Sequence, residues 1–141
     1  MKISHSISGC LLAAAIATPA AADSMAMDTP TQMNDLETVC TGIGSAKDDP
    51  RWSSYPIRIE FSNGGAQYLS GAHVTLSEHG TTVADFDCAG AWVLVKGKPG
   101  NYHVAATIDG STAKPETSSF TLRAGPQKRI ILRFPDFQAN Q

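Results

Sequence analysis

The chain has 141 residues, 42% of them hydrophobic, with 11 Lys and Arg against 13 Asp and Glu for a formal net charge of −2. That length holds one domain, and the balance gives no general affinity for nucleic acid.

The first stretch reads as a signal peptide. Lys2 opens a short basic start, Leu11 to Ala17 form an apolar run, and Pro19-Ala20-Ala21-Ala22 supplies the small residues of a cleavage site, placing cleavage after Ala22. The run is far shorter than the roughly 20 residues a membrane helix needs, so no transmembrane segment is expected. Ile7-Ser8-Gly9-Cys10 has the look of a lipid-attachment box, but its apolar run follows the cysteine instead of preceding it. Removal of 1–22 takes Cys10 away and leaves Cys40 and Cys88 in an oxidising compartment, the periplasm. A disulfide is the expected use of that pair; metal or redox chemistry is the alternative, with no Cys-x-x-Cys motif behind it.

Residues 23–37 are polar and acidic with no sustained period, and read as a flexible arm. Met25, Met27 and Met33 lie there, and thioethers are soft ligands suited to Cu(I). The folded domain is expected over 38–137, with a tail at 138–141. Gly42-Ile43-Gly44 lacks the later glycine and lysine of a phosphate loop. Asp48-Asp49-Pro50 reads as turn chemistry.

Strands follow. Tyr55, Ile57, Ile59 and Phe61 alternate with Pro56, Arg58, Glu60 and Ser62; Ala72, Val74 and Leu76 alternate with His73, Thr75 and Ser77. A weaker strand spans Thr81 to Cys88, and Ala91 to Val95 reads as buried on both faces, with Trp92 as its main aromatic. Pro99-Gly100 leads into the cleanest strand, in which Tyr102, Val104, Ala106 and Ile108 share one face and His103 lies on the other. Phe120 with Leu122, and Ile130, Leu132 and Phe134, complete the set. The spacing predicts an all-β, antiparallel sandwich of about seven strands, immunoglobulin-like or prealbumin-like, with Trp92, Tyr102, Val104, Ile59, Phe61 and Leu132 in its core. Charge is uneven: Asp23 to Asp49 is acidic, whereas Arg123, Lys128, Arg129 and Arg133 crowd the C-terminal part. Those cations serve either as a patch for an anionic partner or as solvated strand edges.

Tyr68-Leu69, Gly71-Ala72, Val74, then Gly90-Ala91-Trp92-Val93-Leu94, then Pro99-Gly100 with Tyr102, Val104 and Ala106 resemble the carboxypeptidase regulatory-like domains of the transthyretin-like sandwiches, as found in small periplasmic proteins of Gram-negative bacteria. The resemblance covers Cys40 to Phe137 and implies a fold without fixing a task. Two departures stand out. Arg51 lies further beyond Gly44 than the group's arginine does, and Cys40 and Cys88 occupy positions where cysteine is not expected, which implies a bridge particular to this branch.

Catalytic patterns are missing from the sequence. His5, His73, His79 and His103 do not form a His-x-x-Glu zinc set. The tail Arg133-Phe134-Pro135-Asp136-Phe137 is not the Tyr-Arg-Gly-Ser ending of the hydroxyisourate hydrolases of this class, and no Gly-x-Ser-x-Gly elbow occurs. If the strands carrying His73 and His103 are neighbours, the two imidazoles could meet over a metal with His79 or Asp85. The sequence therefore predicts a non-enzymatic periplasmic binding or accessory module, without a resident cofactor, that contacts a protein or an envelope glycan. The alternative is copper binding through Met25, Met27 and Met33 together with exposed histidines.

Overall fold

A computed structural model describes residues 23–108 and 114–135. The expected signal segment and the 138–141 tail lie outside them. Ten strands form two sheets: β1 (Asp23–Ser24), β2 (Thr31–Met33), β3 (Leu36–Thr41), β4 (Ile57–Ser62), β5 (Ala72–Glu78), β6 (Thr81–Cys88), β7 (Trp92–Gly97), β8 (Gly100–Ile108), β9 (Glu116–Leu122) and β10 (Lys128–Arg133). Sheet one runs β1-β6-β5-β8-β9 and sheet two runs β10-β4-β7-β3-β2. Among the described residues, no helix is long and apolar enough to cross a membrane.

The sandwich is mixed where the sequence predicts antiparallel pairing throughout. β1 runs parallel to β6, and β10 runs parallel to β4 with Lys128 opposite Ile57 and Arg133 opposite Ser62. Three strands also exceed the expected seven, and all three lie in 23–41.

The described part of the expected flexible arm is thus built into the fold. Met25 is buried, its N–H donates to Asp87 O at 3.1 Å, and β2 pairs with β3 as an edge hairpin. The polar composition misled because backbone pairing orders this segment, while its few apolar side chains pack onto a core supplied by the rest of the chain.

The core lies between the sheets. Val74, Leu76, Phe86, Tyr102, Val104 and Phe120 of sheet one meet Ile57, Ile59, Phe61, Val93, Val95 and Leu132 of sheet two. Tyr102 stacks on Phe120 with ring centroids 5.7 Å apart, and its hydroxyl donates to Lys98 O at 2.7 Å. The Cys40–Cys88 disulfide joins β3 to β6, and therefore sheet to sheet. Gly90 lets the strands close around it, since a Cβ there would sit 2.2 Å from Thr41 O.

β7 is buried on both faces through Val93, Leu94 and Val95. The aromatic burying its outer face is Trp52. Two short 3-10 turns, Gly44–Asp48 and Pro50–Ser54, carry Trp52 and Tyr55 onto Val39 and Leu94 as a second apolar cluster. Trp92 is instead half-buried on the outer face of sheet two, under the Arg58 guanidinium at 4.4 Å and edge-on to Tyr68. Its place as the main core aromatic is corrected: the two-residue period of β7 points Val93 and Val95 inward and so turns Trp92 out.

Candidate functional site

A groove with convergent polar groups runs beside β8 and β9 to the start of β10. It encloses about 410 Å³ and is lined by Ser77, His79, Asn101, His103, Ser119, Thr121 and Lys128, with Tyr102 and Phe120 contributing apolar surface. A second hollow of about 280 Å³ shares Thr121 and Lys128 with it and is also lined by Arg123.

Local structure explains the lining. Ser77, Asn101, His103, Ser119 and Thr121 occupy outward positions of β5, β8 and β9, with Ser77 opposite His103 and His103 opposite Ser119. His79 and Gly80, with φ of 50° and 78°, make the two-residue turn between β5 and β6. Such turns need positive φ at both central residues, which His tolerates and Gly prefers. The turn sets His79 at one end of the groove; β10 sets Lys128 at the other.

The electrostatics are one-sided. Among the described residues, neither hollow has an Asp or Glu in its lining, and Lys128 and Arg123 have no ion pair. The chain as a whole is slightly acidic, so the excess of positive charge is local. The C-terminal cations seen in the sequence divide here. Lys128 lines both hollows and Arg123 the second, whereas Arg129 lies on the outer face of sheet two and binds Glu60 on the neighbouring strand β4.

That second cluster consumes its own charge. Glu60 is 0% exposed on the outer face of sheet two, and its Oε2 accepts from Arg58 Nε at 3.2 Å and from Arg129 Nε. Arg129 also donates to the Tyr68 hydroxyl at 3.2 Å, and Glu60 holds the Arg129 guanidinium above its ordinary value. Two guanidiniums, Trp92 and the 46% exposed Tyr68 seal the carboxylate, leaving Glu60 Oε1 and Trp92 Nε1 without protein partners. Alternation places Glu60 on the charged face of its strand, opposite the apolar one.

The remaining sequence candidates do not converge. β5 and β8 are neighbours, but His73 lies opposite Thr107 and His103 opposite Ser77, which separates the imidazoles by about 13 Å along the strands. His73 is engaged elsewhere: Nδ1 lies 2.7 Å from Asp87 Oδ1 and Nε2 lies 2.7 Å from Asp85 Oδ1. Met25 is buried beside the Thr38 hydroxyl, Met27 lies against Cys40, and Met33 ends the edge strand β2. Among the described residues, no three His, Cys, Asp or Glu side chains group as ligands for a metal ion.

The His103–Ser119 pair has the residue types of a nucleophile and base. Its 3.4 Å separation is long, and among the described residues no carboxylate in the lining orients the imidazole. The groove presents donors to a ligand rather than an activated hydroxyl.

The fold and groove define a β-sandwich with a donor-lined edge groove. Compared with protein families, with curated proteins and with solved structures, the chain matches none.

Proposed function

We propose that the chain is a non-enzymatic binding module of the bacterial envelope, whose groove along β8, β9 and β10 holds an anionic glycan. One observation carries this reading: hydroxyls, an amide, two imidazoles, Lys128 and Arg123 line two adjoining hollows with no carboxylate among their described lining residues. Hydroxyls and amides match sugar hydroxyls, while the unpaired cations match carboxylate or phosphate groups. The signal-like segment to Ala22 and the resemblance to regulatory-like sandwiches support an exported accessory role.

The test is isothermal titration of the protein with a hexamer of galacturonic acid and with its neutral methyl ester. Binding of the acid alone, weakened about tenfold by Lys128→Ala with Arg123→Ala and reduced by salt, supports the proposal. Equal affinity for acid and ester, or indifference to the double substitution, overturns it. Capture of a protein through the same groove in place of either sugar would make this a protein-docking module.

A further inference from the structure

The Cys40–Cys88 bridge has a third sulfur beside it. Met27 Sδ lies 3.4 Å from Cys40 Sγ, and the backbone pins Met27 there from both sides. Met25 N–H donates to Asp87 O at 3.1 Å on sheet one, and Asp28 N–H donates to Cys40 O at 2.8 Å on sheet two. This short segment therefore crosses between the sheets at the place where the disulfide joins them. Asp28 holds the crossing in shape with φ of 56°, its carboxylate accepting from the Thr41 hydroxyl at 2.7 Å.

The three sulfurs differ in access. Cys40 and Cys88 are closed to solvent, while Met27 is half-buried and is the member of the set that solvent reaches. Cys40 Sγ also accepts the Gly90 N–H at 3.2 Å. Cys88 Sγ lies 3.6 Å from Gly90 O and 3.7 Å from Trp92 O.

We propose that the reduced protein binds one Cu(I) ion through Cys40, Cys88 and Met27. Two thiolates and a thioether are soft ligands of the kind that selects Cu(I). A dithiol opens the bridge by exchange: its two sulfurs join as a disulfide, the Cys40–Cys88 bond breaks, and its two protons pass to the cysteines. Cu(I) then displaces both thiol protons to solvent, and Met27 donates a lone pair without losing a proton. Copper keeps its oxidation state throughout. Disulfide and metal site are alternative states of the same sulfurs, so the oxidised protein lacks the site.

This ligand set differs from the one the sequence suggested. Met25 and Met33 take no part, and neither does any histidine.

The full chain, reduced anaerobically with a dithiol and desalted, is titrated with Cu(I) against a chromophoric bicinchoninate competitor, alongside the oxidised chain. One equivalent bound by the reduced chain alone, with three sulfur scatterers in X-ray absorption, supports the proposal. Met27→Leu keeps the apolar volume and should weaken binding about tenfold or more and remove one scatterer, while Met33→Leu should change neither. The proposal is overturned if reduced and oxidised chains compete equally, if Met27→Leu retains affinity and three scatterers, or if the reduced chain loses its β-sheet circular dichroism before copper is added.

Discussion

The Tyr55 hydroxyl donates to Glu37 Oε2 at 2.8 Å and ties the segment ahead of β4 to strand β3. Lys96 completes the group, with its Nζ 3.0 Å from the same oxygen and 4.6 Å above the Tyr55 ring. Lys96 first, and Tyr55 second, hold the Glu37 carboxyl below its ordinary value of 4.5. Burial first, and Glu37 second, push the Tyr55 hydroxyl up.

An acid-sensitivity prediction follows from the sign of the Glu37 shift. A carboxylate lowered by folding contributes its stability fully above the ordinary value of 4.5 and loses it as pH falls through the lower folded value. Urea midpoints of wild type and Glu37→Gln should differ at neutral pH, wild type being higher, and converge on acidification below that value. A gap that widens in acid would contradict the assignment.

The two tryptophans should separate in stability measurements. Trp52 is 4% exposed, packs on Val39 and Leu94, and donates Nε1–H to Ala46 O at 2.8 Å. Trp52→Ala should cost about 3–5 kcal/mol. Trp92→Ala gives up a half-buried ring and its stacked guanidinium, at about 1–2 kcal/mol. Chemical denaturation of both variants checks the order.

The disulfide closes a long loop across the two sheets. Replacing Cys40 and Cys88 together by Ala should lower stability by roughly 4 kcal/mol on the chain-entropy account. The same denaturation curves, run with and without reductant, should show that reductant affects wild type but not the double variant.

Glu60 offers a sharper contrast. Arg129→Gln leaves a fully buried carboxylate with Arg58 as its remaining cationic partner and should lower the denaturation midpoint measurably. Arg133→Gln, at an exposed position of the same strand, should change stability by less than about 0.5 kcal/mol. Equal effects would show that the Glu60 cluster contributes nothing specific.

How much could be read in advance depended on which residues faced the core. β8 was plain because Tyr102, Val104, Ala106 and Ile108 fill its inner face and polar residues fill most of the outer one. β3 was obscure because its inward set, Leu36, Thr38 and Cys40, includes a threonine whose hydroxyl is satisfied locally at Thr31 O. Glu60 looked solvated because alternation reports the face of a strand, not what covers that face. Arg123 and Lys128 were visible as cations in the sequence. Only the turn at His79 and the β8–β9 register bring histidines and hydroxyls beside Lys128.

β10 supplies one edge of sheet two by lying alongside β4, a strand from the first half of the chain. A growing chain therefore carries Ile57, Ile59 and Phe61 without that edge partner until Arg133 has been made. Such distant pairing slows folding, because the long intervening loop must close before the β4–β10 contact stabilises anything.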